Sequence, residues 1–254
     1  VNLEYQKEQY LSADHGNKQN LIFSLDGRKI ISLDKNLKSP RLYSVKSKPS
    51  KIFVNSNLEI KADSKLVGEM HLVLEANSNP YYSLLNDSSK IKSMVKGGIS
   101  PRDITSFETD QLTQKEVSSR LNIEKEKAFN TNDKYSSFVL PFIDSGVDSW
   151  HINLLGLDRY SPLEIPEAIH ERYDFIISLG EEFDYVAPLT DIEITNEVGH
   201  ILIKFVKKGM DIIIIREINL KKKIVEPSDY NNFREIMNAW NNANFKKLTL
   251  KTSE

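Results

Sequence analysis

Residues 199–220 read GHILIKFVKKGMDIIIIREINL. Two isoleucine-rich runs flank Lys208-Gly209, a pair suited to a tight hairpin turn, and Gly199 stands where the preceding turn is needed. The second run, DIIIIREINL, is the longest apolar stretch of the chain. It is charged at both ends and far short of the ~18 residues that suggest a membrane span, so it reads as a buried strand. A hairpin of this kind needs neighbours, and the rest of the sequence supplies them.

Further strand signals follow one another with short turns: YSSFVLPFI (135–143), SWHINLL (149–155), YDFIISL (173–179) and DIEITN (191–196). Earlier, residues 56–76 predict a hairpin turning at Asp63-Ser64, with Met70, Leu72 and Leu74 on one face and His71 and Val73 on the other. VSSRLNIEKEKAF reads as a half-exposed strand through Val117, Leu121 and Ile123. Residues 79–100 break the pattern: Tyr81, Leu84, Leu85, Ile91, Met94 and Val95 recur at helical spacing, which predicts one or two short helices capped at Gly97-Gly98. Asp26-Gly27 marks a further hairpin within residues 20–34, and the Lys, Ser and Pro content of Leu37–Pro49 reads as a connector. Consecutive strands with few helices predict a mainly β fold, an antiparallel β-sandwich.

The chain closes on a helix. Ser228 is an expected N-cap and Asp229 an acidic first-turn residue. Tyr230, Phe233, Ile236, Met237 and Trp240 then form one apolar stripe, predicting a helix over 228–242 sealed against the sandwich, with Leu248 and Leu250 in a last strand.

The 254 residues carry 34 Lys plus Arg against 36 Asp plus Glu, a formal net charge of -2. No basic excess is present to drive phosphate binding, so nucleic acid is not an expected partner. Cysteine is absent, which removes disulfides, thiolate metal sites and a cysteine nucleophile from this chain. Val1 is neither an initiator Met nor the start of a signal sequence, and the chain is expected to be a fragment.

No G-x-S-x-G turn exists. His15, His71, His151, His170 and His200 stand singly, without the H-E-x-x-H spacing of a zinc helix, and read as structural residues. Asp144 and Asp148 in DSGVDSWH lack the spacing that wraps calcium and read as turn chemistry. Lys221 to Lys223 reads as charge guarding a sheet edge. GRKI and KGGIS lack the phosphate-loop spacing. Trp150, Tyr81, Tyr82 and Tyr160 would suit a sugar platform only if exposed and coplanar, and they read as core residues. No catalytic, cofactor or metal residue is assigned.

The order of segments resembles the C-terminal, β-rich domain of unknown function in bacterial secreted transglutaminase-like proteins. The similar stretches are residues 10–34, 57–76, DRYSPLEIP (158–166), YDFIISL, IIIIREINL (212–220) and above all YNNFREIMNAWNNANFKKLTLK (230–251). In that family a Cys, a His and an Asp of a central domain carry the chemistry. None maps onto this chain, since Asp14 and His15 lie in the wrong context.

The resemblance implies a non-catalytic accessory module of a larger papain-related protein, positioning or stabilising its catalytic domain, in the periplasm or at the cell surface of a Gram-negative bacterium. Its partners would be that upstream domain and envelope peptide, protein or glycan. Two alternatives stay open: an independent carbohydrate- or protein-binding module, and a hydrolase with an Asp/Glu/His site. Residues 1–45 are expected to trail from the preceding domain, and 46–254 to form the sandwich, with a subdivision near 110 left open.

Overall fold

A computed structural model describes the backbone of residues 2–5, 8–11, 29–30, 41–42, 49–61, 63–132, 134–150, 152 and 158–252, and side chains from residue 49 on except 130–132 and 252. Four short strands precede residue 45 and pair in twos: β1 (Asn2–Tyr5) with β2 (Glu8–Leu11), and β3 (Lys29–Ile30) with β4 (Arg41–Leu42). The turn expected at Asp26-Gly27 lies outside the described residues.

Beyond them stands one large sheet of eight strands in the order β16-β17-β18-β14-β5-β6-β9-β8. In chain order these are β5 (Ser50–Ile60), β6 (Leu66–Glu75), β8 (Ile104–Leu112), β9 (Glu116–Lys125), β14 (Ile169–Leu179), β16 (Ile192–Thr195), β17 (Gly199–Lys208) and β18 (Asp211–Leu220). The hairpins expected at residues 63–64 and 208–209 form the β5–β6 and β17–β18 ladders. Every ladder of this sheet is antiparallel except β14 with β5, which runs parallel from Ile169 opposite Ser50 to Leu179 opposite Ile60. That one ladder joins two antiparallel halves.

A second sheet, in the order β10-β11-β20-β15, contains β10 (Asn130–Asn132), β11 (Tyr135–Val139), β15 (Phe183–Ala187) and β20 (Lys247–Thr252). Two short pairs complete the strands: β7 (Val95–Lys96) with β12 (Phe142–Ile143), and β13 (Leu163–Glu164) with β19 (Ile224–Val225). The helices are α1 (Tyr81–Asn86), α2 (Lys90–Ser93) and α3 (Tyr230–Asn241). The fold is mostly β, as expected, and no helix among the described residues is long and apolar enough to cross a membrane.

Alternation on the long strands decides where the core lies. Ile52, Val54, Leu58 and Ile60 of β5 are buried, as are Met70, Leu72 and Leu74 of β6, and Tyr173, Phe175 and Ile177 of β14. The interleaved positions of these three strands stay half-buried or exposed. DIIIIREINL is therefore buried on one side only: Ile212, Ile214, Ile218 and Leu220 point inward, while Ile213 and Ile215 are half-buried on the open side. The stripe of α3 is buried at all five expected positions, and Leu248 and Leu250 are buried in β20, paired on both sides by β11 and β15.

Several local expectations are corrected. Ser228 is not the N-cap; Pro227–Asp229 form a 3-10 turn, and Asp229 at the cap position makes no capping bond but pairs with Lys222 at 3.2 Å. Gly97-Gly98 does not cap a helix, because α2 ends at Ser93 and Val95-Lys96 pairs with β12. Gly97 has φ 96, and a Cβ there would sit 2.3 Å from the Leu140 carbonyl oxygen, so the glycine serves a close backbone approach. Ser149-Trp150 does not open a strand: Val147–Ser149 is a 3-10 turn, with residues 151 and 153–157 outside the description. The connector read at 37–49 contains β4, and β8 is a strand the sequence reading did not find.

Candidate functional site

The core buries two charged side chains among the described residues, Glu171 at 1% and Arg216 at 0% exposure. Both occupy inward positions of neighbouring strands: Glu171 lies opposite Ile218, and Tyr173 opposite Arg216. A buried charge is costly unless hydrogen-bonded, so its partners reveal its use.

Glu171 is held by two donors. The Tyr173 hydroxyl donates to Oε1 at 2.5 Å, and the Val147 amide donates to Oε2 at 2.7 Å. The same Tyr173 oxygen accepts the Ile143 amide at 3.2 Å. β14 thus grips the segment 143–147 at two points. Gly146 is required for the approach, since a Cβ there would meet the Glu171 carboxylate at 2.3 Å. Burial pushes the Glu171 carboxyl up to about 7, although the Tyr173 and Val147 donors pull the other way. Burial first, then the Glu171 charge, raises the Tyr173 phenol well above its ordinary value.

Arg216 grips the other end of the covering layer. Its Nη1 donates to the Phe245 carbonyl and its Nη2 to the Trp240 carbonyl at 3.2 Å, so the guanidinium meets the last turn of α3, where the helix dipole favours a cation. The planar group lies between two rings, 4.5 Å from the centre of Trp240 and 4.9 Å from that of Phe142. Burial lowers the guanidinium to about 10, which leaves it charged at neutral pH. Lys246 bonds Asp148 at 2.8 Å, tying the two gripped segments together.

A cleft of about 430 Å³ opens beside this layer, lined by Lys96, Phe142, Asp144, Asp148 and Lys246 among others. Its charges are paired: Lys96 lies 3.6 Å from Asp144, and Asp148 is bonded to Lys246. Asp144 and Asp148 therefore face lysines, in keeping with ordinary turn chemistry. No group of three or more His, Asp or Glu able to hold a metal ion occurs among the described residues.

Three histidines can be placed; His15 and His151 lie outside the description. His71 on the open sheet face has Nε2 2.9 Å from Ser118 Oγ and 3.8 Å from Asp110 Oδ2. Serine, histidine and aspartate meet here, yet both contacts use one ring nitrogen. A triad needs the acid on the other nitrogen to set the tautomer. Asp110 is also engaged by Arg120 at 2.5 Å. His170 bonds Glu217 at 2.7 Å with no nucleophile in the contact, and His200 Nδ1 lies 2.8 Å from the exposed Thr195 hydroxyl. The core role read for the aromatics holds for Trp150 and Tyr81, which pack on the core, but not for Tyr160, which is 95% exposed; Tyr81 and Tyr82 meet edge-on at 5.0 Å, so no coplanar platform forms among them. Lys222 and Lys223 pair with Asp229 and Glu164.

The sequence reading passed over Glu171 and Arg216. Both share the parity of buried neighbours, Ile169 and Phe175 for one and Ile214 and Ile218 for the other, and that parity was the available signal.

A search of the curated proteins gives no match. Among solved structures, the chain is similar to a crystal structure of a "putative protease" from Parabacteroides distasonis, with 25% identity and a TM-score of 0.43. The likeness covers 48% of this chain and 24% of the other, so it spans about a quarter of that protein's length. Residues 132–250, which include α3, the first four residues of β20 and both gripped segments, match a domain of unknown function with a solved structure, DUF3858.

Proposed function

We propose that this chain is a non-catalytic accessory module of a larger, exported transglutaminase-like protein, holding its catalytic domain in position. The observation that carries the reading is the use of the two buried charges. Glu171 and Arg216 bind main-chain groups of segments 143–147 and 240–245, and neither lines the cleft. Perturbed ionisable groups often mark active sites, but a carboxyl 1% exposed and committed to an amide and a phenol cannot reach a substrate. The missing cysteine removes the nucleophile that transglutaminase and papain-like chemistry requires.

In this account residues 1–45 trail from the preceding domain, and the parent protein works in the periplasm or at the cell surface of a Gram-negative bacterium. The test is the upstream coding sequence expressed jointly with this chain. The account expects a Cys…His…Asp domain there, with all acyl-transfer activity lost on alkylating its cysteine. Activity that survives alkylation would overturn it.

A further inference from the structure

The large sheet has one face packed against the core and one face open, and the open face is divided by charge. Across β14, β18 and β17 it carries an aliphatic row amid balanced charges: Ile176, Ile213 and Val206 stand directly opposite one another, with Ile176 43% and Val206 38% exposed, while Arg172, Lys204 and Lys208 share that face with Asp174, Asp211 and Glu217. Ile215 and Leu202 continue that half. Across β6, β9 and β8 the same face is acidic. Glu69, Glu75, Glu108, Asp110, Glu116 and Glu124 stand there against the single arginine Arg120. Arg120 reaches only Glu108 and Asp110, and the nearest further cations, Lys51 and Lys65, take Glu75 and Glu124.

We propose that this open face docks a basic polypeptide, one presenting lysine or arginine beside aliphatic side chains. The division of the face selects that occupant. An anionic partner, whether nucleic acid or acidic lipid, would meet six carboxylates and be repelled. A second copy related by a two-fold axis through the acidic half would set carboxylates against carboxylates. A neutral sugar can hydrogen-bond the carboxylates but brings no charge to balance their excess. A basic segment with aliphatic side chains satisfies both halves at once, desolvating the isoleucine row while its cations are steered by the acidic strands. The proposal rests on the accessory reading, and names the chemistry of the partner that such a module would hold.

The test uses the full chain and two fluorescein-labelled probes, an alternating Lys-Leu peptide and its Glu-Leu counterpart, followed by anisotropy. The Lys-Leu probe should bind and the Glu-Leu probe should not. Raising NaCl from about 20 to 200 mM should weaken binding by about tenfold, because the Debye length shrinks about threefold. The pair Glu69→Lys with Glu108→Lys should weaken binding by about tenfold or more, and Ile176→Ser with Val206→Ser by several-fold, each with an unchanged denaturation midpoint. Equal binding by wild type and the charge-reversed pair, or equal binding of both probes, would overturn the proposal. So would carbodiimide cross-links from these carboxylates confined to the chain's own lysines. None of those results bears on the non-catalytic reading, which the alkylation experiment tests separately.

Discussion

The Arg216 guanidinium lies 4.5 Å from the centre of the Trp240 ring and, through Nη2, donates to the carbonyl of the same residue at 3.2 Å. One side chain of β18 thus holds both the ring and the backbone at the end of α3. Arg216→Ala should destabilise the fold by about 3–5 kcal/mol, since it empties a large buried volume and leaves the Trp240 and Phe245 carbonyls without donors. Arg216→Lys should still cost about 2 kcal/mol, because a point charge cannot stack between Phe142 and Trp240 while reaching both carbonyls. Urea titration of both variants checks this; a loss under about 1 kcal/mol in Arg216→Ala would mean the anchor is dispensable.

Trp240→Ala should destabilise by about 3–5 kcal/mol, as the ring is 1% exposed and packs near Tyr173 as well as Arg216. A denaturant midpoint shifted by the equivalent of less than about 1 kcal/mol would instead place the ring at the surface and favour a partner-binding helix.

Stability should fall as pH rises through neutrality. The Glu171 carboxyl is raised in the folded state from 4.5 to about 7, so the folded chain holds a proton that the unfolded chain gives up. That contribution is fully present below pH 4.5 and is lost as pH rises through 7. The span corresponds to at most about 3.5 kcal/mol, at ~1.4 kcal/mol per unit. Glu171→Gln, neutral at every pH, should flatten the dependence between about pH 5 and 8. Midpoints measured across that range decide it, and equal slopes in wild type and variant would contradict the assignment.

Much of the architecture is legible because strand alternation is local. Met70, Leu72 and Leu74 of β6, the β17–β18 hairpin and the stripe of α3 all follow from spacing alone. The parallel ladder of β14 on β5 is not local: it pairs Ser50 with Ile169 across more than a hundred residues, and no turn signal announces it. Strand β8 escaped because ITSFETDQL is polar and interrupted by register shifts at Ile104/Ser106 and Thr109/Gln111, as edge strands often are. Arg216 and Glu171 escaped because a charged residue within an apolar run reads as its end, unless parity is followed through it.

Deleting residues 1–45 should leave the remainder cooperatively folded, with thermal stability nearly unchanged. Strands β1 to β4 pair only with one another among the described residues, whereas every strand of the large sheet lies beyond residue 49. Two-stranded pairs are marginal on their own and lend little to a sheet they do not join. Calorimetry of the truncated chain gives the answer: aggregation or loss of a cooperative transition would show that the segment is integral and the boundary misplaced.

Turnover by the purified chain tests the central claim most directly. Incubated with peptide substrates and with a labelled primary amine acceptor, it should give no hydrolysis and no amine incorporation above the uncatalysed rate, because no cysteine nucleophile is present and the buried carboxyl is occupied by Tyr173 and Val147. Turnover that co-purifies with the chain, persists with cysteine reagents and disappears on substituting His71 or His170 would contradict the account and establish an Asp/Glu/His hydrolase in its place.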